Sequence, residues 1–83
     1  LSLPDAEARR DIFQIELRRK PVAPDVNLRA LAERTDGMTG ADIAFVCRKA
    51  ALAALRGSIT QGAETIRLEA SHFEAALEAL GRR

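Results

Sequence analysis

The chain contains no tryptophan and no tyrosine, and only one cysteine and one histidine. A lone Cys47 excludes an internal disulfide and fits a reducing compartment such as the cytoplasm. One thiol and one imidazole are too few for a structural zinc site. Charge of neither sign prevails: 13 Lys and Arg stand against 12 Asp and Glu, for a net charge of +1. That balance gives no electrostatic case for nucleic acid or for an anionic membrane. No apolar run approaches the roughly 20 residues of a membrane-spanning helix. No signal peptide is visible, and Leu1-Ser2-Leu3 reads as the continuation of a longer chain, so an upstream targeting segment stays open. GxxxxGK followed by Ser or Thr, GxGxxG and HExxH are all missing. No complete active site stands on these residues, and neither catalytic nor metal-binding residues are assigned.

What is present is aliphatic and helical. Hydrophobic residues make up 47% of the 83 positions, with Ala and Leu dominant and three Phe. That is one domain, near the lower size limit for a core of its own. The expected class is all-α, a small four-helix bundle. Pro4 suits a first helical position and Asp5 and Glu7 suit the positive end of a helix dipole, so a first helix is expected to run to Arg19. Ala8, Ile12 and Ile15 form one apolar row on it, with Phe13 and Leu17 beside them. Pro21 and Pro24 keep the next stretch from being helical. Asn27 is a good N-cap for a short helix from Leu28 to about Arg34, with Leu28, Leu31 and Ala32 facing inward.

The stretch from Thr35 to Ile43 is a helix stop followed at once by a helix start. Gly37 supplies the left-handed residue common just past a helix end. Thr39 and Asp42 make a capping box with Asp in the usual place of Glu. The helix they launch is expected to reach about Arg56 and stop near Gly57, ahead of a polar loop over Ser58 to Ala63. Ile43, Val46, Cys47, Ala50 and Ala54 give it a broad apolar stripe that Ala44, Ala51 and Leu55 are expected to widen, the mark of a buried central helix. Phe45 and Leu52, seven apart, fall outside that stripe. Two readings stay open for them: cover by loops of the chain, or contact with another domain or subunit. Thr65 to Leu68 alternates and is read as a short extended segment. A last helix runs from about Ala70 to Leu80, with Phe73, Ala76, Leu77 and Leu80 inward. Gly81-Arg82-Arg83 reads as a frayed basic end.

His72, with no catalytic partner signature, is read as a solvent-exposed residue. Cys47, on the apolar stripe, is read as a small core hydrophobe. Gly40 and Ala41 carry two readings. They are either small residues at a helix crossing, or a stretch of exposed backbone that a flat group approaches at the positive end of a helix.

The order of motifs then resembles a known family. Leu3-Pro4-Asp5 precedes Arg9 and Ile12. Leu17-Arg18-Arg19-Lys20 leads to Val22-Ala23, Asp25-Val26 and Leu28. Thr35 is followed by Gly37-Met38-Thr39-Gly40-Ala41-Asp42-Ile43, and the tail carries Leu68, Phe73 and Ala76-Leu77. This set, covering essentially the whole chain, resembles the C-terminal helical lid of AAA ATPases, more narrowly that of the second ATPase module in the valosin-containing-protein group.

The resemblance implies a lid over residues 1–83, packed beside a larger P-loop domain that lies outside this sequence. It implies ATP or ADP at the junction, with Mg bound by the P-loop domain. By position Ile12 would pack on the adenine, and Gly40 and Ala41 would run along the base and ribose. Glu16, one turn from Ile12, would accept a hydrogen bond from a ribose hydroxyl. Ala41 stands where many relatives place a phosphate-sensing Arg, so no such Arg is expected. The parent protein would be an ATP hydrolase that remodels or unfolds proteins in the cytoplasm as a homo-hexamer, the lid passing nucleotide state to neighbouring subunits. This stretch alone would be inactive. Nucleic acid and membrane are not expected partners. A different class of reading is a free-standing helical interaction module, a degenerate lid without nucleotide. A helix-turn-helix DNA binder is disfavoured, because a recognition helix needs more exposed polar and basic residues than the third helix has.

Overall fold

Four helices account for the architecture of the computed structural model, which describes residues 2–62 and 65–81. They are α1 (Ala6–Glu16), α2 (Leu28–Arg34), α3 (Gly40–Gln61) and α4 (Ala70–Gly81). α3 is the axis: it packs against α4 on one side and α1 on the other, and α1 also packs against α2. The expected all-α class holds, with no β-strand among the described residues.

Each helix start follows from local capping chemistry. Asp5 is the N-cap of α1, its side chain accepting from the Ala8 N–H at 2.8 Å. Pro4 therefore precedes the cap and is not the first helical residue as expected. Asn27 caps α2 through the Ala30 N–H at 3.1 Å. Thr39 and Asp42 form the expected reciprocal box, each side chain accepting the other's backbone N–H at 3.1 Å. Gly37 stands at φ 83°, the left-handed region that a Cβ disfavours.

Three helix ends differ from expectation. α1 stops at Glu16, not Arg19. Arg18 and Lys20 donate to the carbonyls three residues back, Ile15 and Leu17, so the chain tightens into turns before Pro21. α3 does not stop at Gly57. It continues to Gln61 and ends at Gly62, φ 68°, which makes Ser58 to Gln61 helical and not loop. An interior Gly costs a helix only about 1 kcal/mol, which packing against α4 offsets. Gly81 belongs to α4. Ala63 of the expected loop, and Arg82 and Arg83 of the expected frayed end, lie outside the described residues.

The core is aliphatic with two aromatic anchors. Phe13, Ile43, Val46, Cys47, Ala50 and Phe73 are its most enclosed residues. On α1 the inner row is Arg9, Phe13 and Leu17. Ile12 is only half-buried and Ile15 is 60% exposed, a correction to the expected apolar row. Leu77 is half-buried at the edge of the core, whereas Phe73, Ala76 and Leu80 are enclosed as expected.

The 65–68 segment is tied down by one parallel bridge. Leu68 donates to the Pro21 carbonyl and accepts from the Ala23 N–H, both at 2.8 Å. This bridge brings Asp25 to the start of α4, where its carboxylate accepts from the Ala70 N–H at 3.2 Å. His72 completes that cap: its Nδ1 accepts from the Glu69 N–H at 2.9 Å. It is half-buried, not solvent-exposed as expected.

Candidate functional site

The α1–α3 crossing brings two of the four sequence-derived site residues together. Gly40 opens α3, placed there by the Thr39–Asp42 box. A Cβ built on Gly40 would lie 3.8 Å from Ile12 Cδ1, ordinary van der Waals contact. So the side chain missing at Gly40 is not demanded by its neighbour in this chain. It leaves a shallow space beside a half-buried apolar wall. Ala41 follows in the first turn of α3 and is exposed. Small residues at this helix start leave its unpaired backbone N–H groups accessible.

Glu16 lies one turn beyond Ile12 and is half-buried. Its backbone carbonyl accepts from Lys20 Nζ at 3.0 Å. Its carboxylate is near enough to Cys47 of α3 to act on it electrostatically. Cys47 itself is buried and its thiol is pushed up to about 12, first by loss of water and then by Glu16, with Lys20 and Arg48 opposing. It stays a protonated core residue, with no nucleophilic role. No group of three or more His, Cys, Asp or Glu suited to a metal ion occurs among the described residues.

Two buried polar residues that sequence reasoning left without a role lie beside this crossing, Arg9 linking α1 to α2 and Thr35 closing the end of α2. Arg9 is 4% exposed. Its Nε donates to the Ala32 carbonyl at 2.9 Å and one terminal nitrogen donates to the Pro4 carbonyl at 2.8 Å. The same nitrogen lies 3.7 Å from the Asp36 carboxylate. Arg9 thus ties the lead-in of the chain to the end of α2 and the junction before α3. Thr35 is fully buried, its hydroxyl lying 2.9 Å from the Leu31 carbonyl and 3.1 Å from that of Ala32. The available signal was a charged residue four before Phe13 on an otherwise apolar row.

Comparison with known proteins identifies the family. A profile described as "AAA+ lid domain" matches residues 25–75, a span that includes the α2–α3 junction and the first half of α4. The Cell division cycle protein 48 homolog of Archaeoglobus fulgidus is 45% identical, over 90% of this chain and 12% of that protein. ATP-dependent zinc metalloprotease FtsH 2 of Sphaerobacter thermophilus is 54% identical, over 68% of this chain and 9% of that protein. Katanin p60 ATPase-containing subunit A1 of Strongylocentrotus purpuratus is 41% identical, over 71% of this chain and 11% of that protein. The chain therefore spans about a tenth of the length of these relatives. The capped junction, the four-helix architecture and these similarities together establish that the chain belongs to the AAA+ lid domain family.

Proposed function

We propose that this chain closes over the adenosine end of ATP or ADP in a AAA ATPase and transmits nucleotide state by rigid-body motion. The observation that carries the reading is the Ile12 side chain facing the place a Gly40 side chain would occupy, beside exposed Ala41. In this reading Ile12 packs on the adenine, and Gly40 and Ala41 admit the base and ribose close to backbone. Glu16 accepts a hydrogen bond from a ribose hydroxyl. Mg and the reacting phosphates belong to the P-loop domain, which supplies the hydrolytic groups when nucleotide is bound. The lid adds no catalytic side chain.

Arg9 gives the motion a route. A change of angle at the Pro4 lead-in is passed through its guanidinium to Ala32 and the junction that positions Gly40. The parent protein is read as a cytoplasmic homo-hexamer that remodels protein substrates, each lid meeting its own large domain and a neighbouring subunit. Names among the relatives, including an "ATP-dependent" metalloprotease and an "ATPase-containing subunit", support ATP as the nucleotide.

Ala41→Trp in the full-length protein tests the site. Ala41 is exposed, so the indole leaves the core intact while obstructing the base. The expected result is a loss of nucleotide affinity of at least about tenfold, in line with a bulky side chain standing where the base would lie, with unchanged helical circular dichroism. Wild-type affinity in that variant would sink the assignment.

A further inference from the structure

The face of α3 opposite the core is both apolar and basic. Ile43, Val46, Cys47, Ala50 and Ala54 point inward and are buried. At 3.6 residues per turn, Phe45, Leu52 and Ile59 line up on the other side, with Leu55 in the adjoining row. Leu52 is 43% exposed, Leu55 40% and Ile59 72%. Arg48, Lys49 and Arg56 border the row and are exposed. Lys49 lies over the Phe45 ring, 5.6 Å from its centroid. No carboxylate occurs between Ile43 and Gln61. Of the two readings the sequence left open, cover by the chain itself holds in part for Phe45, which is half-buried against the core, but leaves Leu52, Leu55 and Ile59 exposed.

The spacing of these residues says what kind of surface fits. Phe45, Leu52 and Ile59 repeat every seven positions, with Leu55 at the intervening step, as at the a and d positions of a coiled coil. Such a seam takes another helix in preference to a flat surface. Its length from Phe45 to Ile59 is about 21 Å, three to four turns of a partner helix. Arg48 occupies the other d position, and Lys49 and Arg56 occupy e positions. A parallel second copy would set Arg48 against Arg48. An antiparallel one would set the Lys49 and Arg56 flanks against each other. Both pairings oppose cations, so the charge pattern disfavours a second copy and favours a partner with acidic flanks.

We propose that the outer face of α3 is a docking site for an acidic amphipathic helix of another polypeptide. That helix carries large apolar residues at heptad spacing, bordered by Asp and Glu. Apolar contacts with Leu52, Leu55 and Ile59 supply affinity, and Arg48, Lys49 and Arg56 select for acidic flanks. The proposal uses none of Ile12, Glu16, Gly40 or Ala41, so it stands apart from the nucleotide reading.

The test titrates the isotope-labelled 83-residue chain with two synthetic peptides about three heptads long. Both carry Leu at the a and d positions, and they differ only in having Glu or Lys at the flanks. The Glu peptide is expected to bind at least about tenfold tighter than the Lys peptide, as opposed and matched charges at one seam require. Amide shifts should centre on Phe45 to Ile59, and added salt should weaken binding. Leu52→Ser combined with Ile59→Ser, both exposed positions, should abolish most of that binding with unchanged circular dichroism. Absence of Glu-peptide binding, equal binding of the two peptides, or shifts centred on another face each overturn the proposal. So does self-association of the free chain, by sedimentation, that the double variant abolishes, because the occupant is then a second copy.

Discussion

Arg9 shows how a single charged residue can be structural. It is enclosed, and two of its guanidinium nitrogens donate to backbone carbonyls, that of Ala32 buried and that of Pro4 partly buried. Truncation removes both of these bonds as well as the charge, although the Ala32 carbonyl still accepts from Thr35. Arg9→Met is therefore expected to destabilise the chain by about 3 kcal/mol, from two hydrogen bonds made by a charged group. Arg9→Lys should recover little of that, because an ammonium cannot reproduce the fork. Urea unfolding of the two variants checks both points. Cys47 gives a pH-dependent counterpart. Its thiol is raised from 9.0 to about 12 in the fold, chiefly by burial. The folded state thus holds the proton more tightly than the unfolded state. The resulting stability is fully present below pH 9.0 and is lost as pH rises toward about 12. Wild type should lose more stability across that window than Cys47→Ala, measured by denaturant midpoints at several pH values. At neutral pH a thiol reagent should modify wild-type Cys47 only as fast as the chain opens.

At the scale of the element, α3 shows where local rules give way to packing. Gly57 has the propensity to end a helix, and a stop near it was the natural reading. The helix continues for another turn because its inner face is packed on α4 and because Gly62, in the left-handed region, provides a better stop. A Cβ at Gly57 would meet nothing closer than His72 Nε2 at 4.0 Å. Gly57→Ala is therefore expected to stabilise the chain by about 0.5–1 kcal/mol, the helix-interior difference between the two residues. A higher urea midpoint with an unchanged slope is the expected reading, and a lower midpoint would show that Gly57 is needed for conformation. The opposite edge of predictability is α4. Its first turn is capped by Asp25, forty-five residues away, and by its own His72. The His72 cap was local but unfamiliar, a ring nitrogen doing what a Glu carboxylate does in a capping box.

For the whole molecule, the core is small and each buried aromatic matters. Phe73 is enclosed and joins α4 to the central helix, whereas Leu77 sits half-buried at the rim. Phe73→Ala should cost about 3–5 kcal/mol, a large part of the stability of so short a chain. Leu77→Ala should cost less, because part of its surface is already in water. Thermal melts that rank Leu77→Ala below Phe73→Ala in stability would contradict this packing. The same core fixes the relation of α1 to α3, and with it the distance between Ile12 and Gly40. Each of those two residues lies on a different helix, so no local interaction sets that distance.

Near-neighbour chemistry was legible from the residues alone. Asn27, Thr39 with Asp42, and Gly37 act on groups within a few positions, and the inward stripe of α3 follows from helical periodicity. The family, too, was readable, because its motifs are local and ordered along the chain. Tertiary structure alone decided that Arg9 is buried, that Ile15 faces water, and that α3 outlasts Gly57. It also decided that Asp25 caps α4 and that Ile12 faces the side-chain position left empty at Gly40. Each of these depends on what another element brings within a few ångströms, and neither periodicity nor capping preference carries that information. The sequence by itself determined the helices and most of their ends; the packing of α1 and α4 on α3 decided which faces meet.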